Sequence, residues 1–404
     1  MTEVKRQYEA YPYPERDPAD EAKRLITGSP SDPLEMDHVI WGGMRDWTRP
    51  LRALFAGGGT GDGMVQLAQR LTDAGAPYEI VYLDLSEASR AVAEARVAAR
   101  GLTGVTFHTG SLLDAAEYGT FDYIDCCGVL HHLPDPATGF AALRQALAEG
   151  GGLGFMVYAP HGRSGVYPLQ EAFGALFEGL SPSQKLAQAR AVFARLPEAH
   201  PFKRNTVVVD HQQSDAGFYD LLLHSQDRAF SVTDLVEVMG QTGWDLAGFA
   251  QPAAYDPSRY AAVPEGMDAV ARMALAEQLA GTMKVHVGYA RAAGASAPKT
   301  GPMGGMAKAN MARVPHLRGV PRDKLARAVA AGKALPVKSG GETIPLRLPK
   351  GAAALLAGVD GRRDLAMLAK GARLDPVAFG GIWAQVDRAL CGWGLMHYSN
   401  LGRR

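Results

Sequence analysis

The feature that most constrains this chain is a cluster of glycines that directly follows a short apolar run. Residues 52–56 predict a β-strand, which leads into Gly-Gly-Gly-Thr-Gly at 57–61, and residues 62–73 then have the apolar spacing of a helix. Glycine tolerates positive φ and lets a ligand approach the backbone, and the start of a helix offers free N–H groups. The turn therefore predicts a site for an anionic or nucleotide-like ligand.

Strand-like and helical runs alternate after this turn. Strands are predicted over 79–85, 105–108, 121–127, 153–159 and 284–290, and helices over 87–100 and 136–148, the second helix being ended by the glycines at 150–152. This alternation is typical of an α/β fold, here a Rossmann-like sheet with helices on both faces.

The chain divides into four predicted parts. Residues 1–50 form an irregular lead-in, and residues 51–291 form the α/β domain with a helical insertion at about 167–230. Residues 292–312 are rich in Gly, Ala and Pro and predict a linker. Residues 313–404 then form a small, basic C-terminal α+β module.

Charge is balanced overall but unevenly distributed. The chain holds 42 Lys and Arg against 42 Asp and Glu, which argues against a wholly basic nucleic-acid binder. From Lys299 onward there are 18 basic and 6 acidic residues, so the preceding part is acidic. Because opposite charges attract at long range, we expect the tail to dock on its own chain or on a partner subunit of a homodimer. The alternative is that the tail holds an anionic ligand.

Cysteine content and hydropathy exclude several other classes of protein. Cys126, Cys127 and Cys391 form no C-x-x-C pair, so neither a disulfide scaffold nor a structural zinc site is expected. No apolar run reaches the ~18 residues that span a bilayer, and the first residues lack the apolar region of a secretory signal. We therefore expect a cytoplasmic protein without membrane association.

An acidic residue closes the second predicted strand. Asp84 lies 23 positions beyond Gly61, where a carboxylate accepts hydrogen bonds from a ribose diol. The alternative is that Asp84 caps the following helix, for which Ser86 is the predicted N-cap. Glycines and acid together indicate a nucleoside-type cofactor, with NAD and S-adenosylmethionine as candidates.

Four motifs resemble those of class I S-adenosylmethionine-dependent methyltransferases. Leu-Phe-Ala-Gly-Gly-Gly-Thr-Gly at 54–61 fits the first motif and Tyr-Leu-Asp-Leu-Ser at 82–86 the second. Residues 121–136, which include Gly-Val-Leu-His-His-Leu-Pro-Asp-Pro, fit the fourth, and Glu-Gly-Gly-Gly at 149–152 fits the turn before the fifth strand. The lead-in Gln-Tyr-Glu-Ala-Tyr-Pro-Tyr-Pro resembles a bacterial branch of these enzymes. The resemblance favours S-adenosylmethionine over NAD.

The resemblance implies a cofactor site. The methionine end would lie over the glycine turn, the ribose on Asp84 and the adenine after the third strand. The implied residues are Gly57, Gly58, Gly59, Gly61, Asp84, Leu85, Ser111, Leu112, Cys127, Gly128 and His131. Two positions depart from the family. Phe55 replaces an acid that organises the methionine end, whose contacts must therefore come from elsewhere. Gly110 replaces an acid that often contacts the adenine, and backbone groups or Ser111 could substitute for it.

The resemblance also places the fourth motif beside the methyl group. His131 and His132 are candidate bases, because an imidazole takes up a proton near neutral pH. The alternative is that the pair only shapes the cofactor site. Tyr158, at the end of the fifth strand, completes the catalytic candidates. No metal is expected, since no third ligand lies near the histidines in sequence.

Candidate substrate-binding residues come from three segments. They are Tyr11 in the lead-in, His161 after the fifth strand, and Asp220, His224 and Arg228, whose spacing of four places them on one helix face. The alternative for the last three is a solvated face or a buried salt bridge. Tyr11, with Tyr8 and Tyr13, would form a lid over the cofactor, or else pack a short helix.

These observations predict an enzyme that transfers a methyl group from S-adenosylmethionine to a small molecule or to a peptide or protein side chain, leaving S-adenosylhomocysteine. Residues 348–363 weakly resemble winged-helix-like modules of peptide-modifying systems, which favours a peptide. The alternative is a non-catalytic S-adenosylmethionine-binding scaffold or regulator, suggested by Phe55 and Gly110. Methylation of nucleic acid is disfavoured, because the Asn/Asp-Pro-Pro-Tyr-type signature is absent.

Overall fold

The computed structural model describes residues 3–296 and 311–403, and its centre is one seven-stranded sheet. The strands are β1 (Leu51–Ala56), β2 (Tyr78–Asp84), β3 (Val105–Thr109), β4 (Phe121–Cys127), β5 (Leu147–Tyr158), β6 (Trp244–Phe249) and β7 (Val285–Ala292). Their order is β3-β2-β1-β4-β5-β7-β6; β1 to β5 are parallel, and β7 is antiparallel to both β5 and β6. The predicted Rossmann-like fold is confirmed.

Helices cover both faces of this sheet. They are α1 (Glu3–Ala10), α2 (Pro33–Trp41), α3 (Asp62–Ala74), α4 (Glu87–Ala99), α5 (Pro136–Gln145), α6 (Val166–Leu176), α7 (Pro182–Arg195), α8 (Pro201–Arg204), α9 (Asp215–Leu222), α10 (Val232–Gln241) and α11 (Ala269–Ala280). Alternate residues of a strand point to opposite faces. Leu54 and Ile124 therefore pack into one core, and Phe55 and Tyr123 into the other.

The glycines at 150–152 do not end a helix, as the sequence predicted, but lie inside β5. Helix α5 ends at Gln145 and β5 begins at Leu147, six residues before the predicted start. A Cβ at position 151 would lie 2.7 Å from the carbonyl oxygen of Asp122, and one at 152 would lie 2.6 Å from the side chain of Ile40. The glycines let α2 and β4 approach this strand closely.

A buried ion-pair network fastens the lead-in to the glycine turn. Arg96 on α4 is 1% exposed and donates to Glu21, to the carbonyl oxygen of Thr60 at 2.8 Å and to Asp62 at 2.6 Å. Arg16 donates to Asp62 at 2.6 Å. Although burial raises the pKa of Asp62, hydrogen bonding and attraction from Arg16 and attraction from Arg96 outweigh it and lower that pKa. The lead-in is thus held against the first turn of α3.

The tail packs against the sheet domain. Its elements are β8 (Pro315–Leu317), α12 (Arg322–Ala330), β9 (Leu335–Ser339), β10 (Glu342–Leu346), α13 (Ala352–Ala357), α14 (Leu365–Gly371), α15 (Pro376–Gly392) and β11 (Met396–Tyr398). β9 pairs with β10 and β8 with β11. Arg318 forms an ion pair with Glu35 of α2, and Val337 and Trp393 join the apolar core beneath α10. Residues 297–310 of the predicted linker lie outside the described residues.

Within the described residues, no helix is both long and apolar enough to cross a membrane.

Candidate active site

The glycine turn lies at the carboxyl end of β1, as predicted. Gly57, Gly59 and Gly61 have φ values of 77°, 51° and 93°, which favour glycine. A Cβ on Gly58 would lie 2.4 Å from the ring of Tyr82, whose hydroxyl donates to the carbonyl oxygen of Gly59 at 2.6 Å. Gly61 is the N-cap residue of α3 and provides no side-chain hydrogen bond to the helix. The first N–H groups of α3 are therefore available to a ligand.

Asp84 joins this turn to the start of α4. One carboxylate oxygen accepts the N–H of Gly59 at 2.8 Å and the other accepts the N–H of Ser86 at 2.8 Å. Burial raises the pKa of Asp84 above its ordinary value, although these two N–H bonds act against the rise. Ser86 caps α4 through its own hydroxyl, which accepts the N–H of Ser89. Asp84 thus organises the turn, and it is not the side chain that caps the helix.

Two residues at the carboxyl ends of the strands that flank β1 are accessible beside this turn. Leu85 after β2 is 40% exposed. Cys127 at the end of β4 is exposed, and burial in the surrounding protein raises the pKa of its thiol. Gly128 follows it with φ 83°. In α/β sheets, ligands bind in crevices at this edge.

The third strand contributes less to the crevice than the resemblance implied. The hydroxyl of Ser111 accepts the N–H of Leu113 at 3.1 Å, so it caps a short 3₁₀ turn. Leu112 is 6% exposed and belongs to the core. A Cβ on Gly110 would lie 3.1 Å from both Leu83 and the hydroxyl of Tyr118. A side chain at position 110 would therefore require both neighbours to shift slightly.

The resemblance implied an acid at position 55, and an acidic residue on β4 stands beside Phe55. Asp125 pairs with Phe55 across the parallel strands and is 4% exposed. Its Oδ2 accepts the hydroxyls of Ser31 at 2.7 Å and Tyr123 at 3.0 Å, and no hydrogen bond to Oδ1 occurs among the described residues. Burial raises the pKa of Asp125 to about 6. Sequence reasoning missed this residue, because its position depends on strand register.

The two histidines of the fourth motif have different surroundings. His131 is fully buried, and neither ring nitrogen has a hydrogen-bond partner among the described residues. Its ring lies 3.7 Å from that of Tyr158. Burial lowers the pKa of His131 well below its ordinary value, and the positive charge of Arg163 lowers it further. These surroundings suit a neutral packing residue better than a base.

His132 is held in one tautomer by a backbone segment from far along the chain. Its Nδ1–H donates to the carbonyl oxygen of Gln226 at 3.0 Å, which leaves Nε2 with a lone pair. The N–H of Gln226 donates to Nδ1 of His224 at 3.1 Å, so Nε2 of His224 carries its proton. Among the described residues, Nε2 of His132 has no hydrogen bond. It is therefore placed to accept a proton.

Asp220 gathers the lead-in and the fifth strand around the histidines. It accepts the hydroxyls of Tyr8 at 3.0 Å and Tyr158 at 3.1 Å. Burial raises the pKa of Asp220, although the hydrogen bond from Tyr8 acts against the rise. The carbonyl oxygen of Tyr8 accepts the hydroxyl of Ser86 at 3.3 Å, so α1 spans from α4 to this cluster. The lead-in therefore closes over the site.

Three of these side chains are close enough to be considered as metal ligands. His132, Asp220 and His224 each offer an atom within 4.8 Å of the others, so a third ligand exists that sequence proximity did not reveal. The two imidazoles stack at 3.8 Å with their planes 16° apart. Lone pairs in nearly parallel planes do not converge on one ion, and Nε2 of His224 is protonated. The arrangement fits proton transfer better than metal binding.

The side chains of three predicted substrate residues make their contacts outside this cluster, although the N–H of Arg228 donates to the carbonyl oxygen of His131 at 3.0 Å. Tyr11 stacks on Tyr219 at 5.2 Å, His161 is exposed, and the exposed Arg228 lies over Phe230 at 5.1 Å. The prediction of one shared helix face was wrong, because α9 ends at Leu222. His224 and Arg228 follow in an irregular segment, which is what allows the backbone of residue 226 to contact both imidazoles.

A buried ion pair near Tyr158 was also missed. Arg163 lies 3.6 Å from the ring centre of Tyr158 and donates to Asp227 at 3.0 Å. Both side chains are almost fully buried. No motif signalled them, since the two residues are 64 positions apart.

Comparison with known proteins agrees with this geometry. Residues 54–153 match the family model of a methyltransferase domain. The fold is similar to that of PKMT2 from Rickettsia typhi, with a TM-score of 0.62, 15% identity, and 93% of this chain and 77% of that chain covered. A second PKMT2 structure, in complex with AdoHcy, matches at 16% identity with the same TM-score.

A relative of known sequence covers a smaller part of the chain. An uncharacterized protein from Synechococcus sp. is 35% identical over 215 residues, 52% of this chain. The chain spans about half the length of this curated relative.

Proposed function

From the class I S-adenosylmethionine-dependent methyltransferase domain that the chain carries, as its four motifs predicted, we propose that it transfers the methyl group of S-adenosylmethionine to an acceptor nucleophile. The observation that carries the proposal is the joint geometry of the glycine turn and Asp84. PKMT2, which has the same fold, was solved with AdoHcy, the product of such a transfer. This supports an adenosyl cofactor in the same crevice.

Side chains and backbone groups of this chain would hold the cofactor. Asp84 would accept hydrogen bonds from the ribose hydroxyls, and the first N–H groups of α3 would attract the methionine carboxylate. Asp125 would accept a hydrogen bond from the methionine ammonium, in place of the acid that the resemblance implied at position 55. Leu85 would pack against the adenine, and Cys127 and Gly128 would border the methyl group.

The reaction needs an acceptor aligned with the sulfonium carbon and shielded from water. The acceptor lone pair forms the new bond to carbon while the carbon–sulfur bond breaks and its electron pair stays on sulfur. Where the acceptor carries a proton, Nε2 of His132 accepts it. The carbonyl oxygen of Gln226 holds the Nδ1–H of His132, so in the neutral ring the lone pair lies on Nε2. Tyr8, held by Asp220, excludes water from above the site.

Transfer of radiolabelled methyl from S-adenosylmethionine to components of a bacterial cell extract tests the proposal. The expected result is a labelled product that requires the protein and is suppressed by excess S-adenosylhomocysteine. If no labelled product forms although S-adenosylhomocysteine still binds, that result would favour the non-catalytic scaffold instead.

The scaffold alternative depends on the departures at positions 55 and 110. It is weakened by Asp125, which supplies a carboxylate beside Phe55.

A further inference from the structure

A cleft of about 780 Å³ opens between α1, α6 and the segment 223–227. Its inner end includes His224 and Asp227, and its rim includes Glu171 and Glu178. His224 stacks on His132 at 3.8 Å, so the cleft reaches the histidine cluster of the active site. Pockets for small molecules have volumes of roughly 300–1,000 Å³. The cleft is therefore large enough for an acceptor molecule or for a side chain of a peptide.

The inner end of this cleft contains a carboxylate that can accept a further hydrogen bond. The side chain of Asp227 is 0% exposed. Its Oδ2 accepts N–H groups from Arg163 at 3.0 Å and Gln170 at 3.0 Å. Its Oδ1 is buried and accepts no hydrogen bond from the residues that the structure describes. A buried acceptor without a donor is unfavourable, and an N–H group from a ligand would supply that donor.

The rim of the cleft is acidic. Glu171 and Glu178 are exposed, and within the described part of the chain neither forms an ion pair. Glu3 is neutralised by Lys185 at 2.9 Å. Apart from Lys185, Arg6 is the other Lys or Arg among the described residues that line the cleft. Two carboxylates against one guanidinium attract a positively charged ligand.

We propose that this cleft binds the methyl acceptor through a cationic N–H group, an ammonium or guanidinium, which donates to Oδ1 of Asp227. The nucleophile of the same acceptor then reaches the methyl group beside His132. This assignment rests on the proposed function and adds the chemical class of the acceptor. It places the recognition group and the reacting atom at different points of the cleft.

Calorimetric titration of the full chain, saturated with S-adenosylhomocysteine, tests this assignment. The probes are n-butylguanidinium and n-butylurea, which have the same shape but differ in charge. We expect n-butylguanidinium to bind at least tenfold more tightly. Equal affinities, or binding of neither probe, would overturn the cleft assignment. If S-adenosylhomocysteine itself does not bind the chain, that result would instead contradict the proposed function.

Two variants connect the preference to the named residues. Asp227→Asn should abolish the preference for the cation. Because this variant also disturbs the pair with Arg163, the double variant Glu171→Gln/Glu178→Gln provides a test on exposed positions, with an expected loss of about threefold for the cation and none for the urea. Glu265→Gln, which does not line the cleft, is the matched control. An unchanged preference in both cleft variants would overturn the assignment.

A second arm distinguishes the source of the cationic group. A blocked Gly-Gly-Arg-Gly-Gly peptide is titrated beside n-butylguanidinium under the same conditions. Tighter binding of the peptide assigns the cleft to a peptide side chain, and weaker binding assigns it to a free small molecule. Either assignment applies only if n-butylguanidinium also binds more tightly than n-butylurea.

Discussion

Asp125 stands beside Phe55 in the neighbouring parallel strand, and the two side chains lie on the same face of the sheet. The resemblance implied an acid at position 55, and the structure has a carboxylate beside that position on the adjacent strand. The hydroxyls of Ser31 and Tyr123 donate to Oδ2 of this carboxylate, while Oδ1 accepts no hydrogen bond from the described residues. This relationship makes Asp125 the group we expect to bind the ammonium of the cofactor.

Replacement of Asp125 by Asn should weaken S-adenosylhomocysteine binding by about 1.5–3 kcal/mol, the range for a hydrogen bond to a charged group. The affinity is measured by calorimetry at pH 8. Asp73→Asn, an exposed position on α3, is the matched control and should leave affinity unchanged. Equal affinities of the wild type and Asp125→Asn would remove Asp125 from the cofactor site.

The same residue predicts a pH dependence of binding. Its pKa in the folded protein is raised to about 6 by burial, so lowering the pH through 6 adds a proton to the folded state and removes the negative charge. Affinity for S-adenosylhomocysteine should be constant above pH 7 and fall below pH 6. In Asp125→Asn this part of the profile should be flat. A wild-type profile that is flat down to pH 5 would contradict the assignment.

His132→Gln should lower the rate of transfer to a protonated acceptor by about 10²–10⁴-fold, because general-base catalysis is lost. S-adenosylhomocysteine binding should be unaffected, which separates a catalytic from a structural defect. His200→Gln, outside the cluster, is the control. Full activity of His132→Gln would show that the acceptor needs no base from this chain.

Gly58→Ala should destabilise the fold by about 1–3 kcal/mol, because a new Cβ would overlap the ring of Tyr82. Gly240→Ala, on α10 with no atom within 4 Å of its Cβ, should stabilise by about 1 kcal/mol. Thermal unfolding of both variants checks the pair. A melting temperature of Gly58→Ala at or above that of the wild type would mean that the turn rearranges freely.

Arg318→Ala should cost about 3–5 kcal/mol, because Glu35, 1% exposed, would lose its cationic partner and retain only the hydroxyl of Ser29. Arg322→Ala removes an exposed pair with Asp323 and should cost less than about 1 kcal/mol. Urea unfolding measures both. Similar losses for the two variants would indicate that the tail contributes little to the stability of the sheet domain.

Local signals were sufficient to predict the sheet and the cofactor turn. The alternation of strands and helices, the glycines before α3 and the cap at Ser86 act within a few residues of each other, so the sequence shows them directly. Asp84 was predicted from its spacing to Gly61, and the structure places it against the turn. The glycines of β5 misled the prediction, because their role is to accommodate α2 and not to end a helix.

Contacts between distant segments were not predictable from pattern. Asp125 becomes relevant only through its register with Phe55, and Gln226 only because the chain leaves the helix at Leu222. Arg163 and Asp227 meet across 64 positions with no motif to mark them. Each of these contacts depends on tertiary packing, which periodicity and spacing do not report.

Calorimetric titration of the purified full chain with S-adenosylhomocysteine and with NAD tests the central claim most directly. The account predicts saturable binding of one S-adenosylhomocysteine per chain, no binding of NAD, and loss of the signal in Asp84→Ala. Binding of NAD, or no binding of S-adenosylhomocysteine, would contradict the assignment of the crevice and with it the proposed methyl transfer.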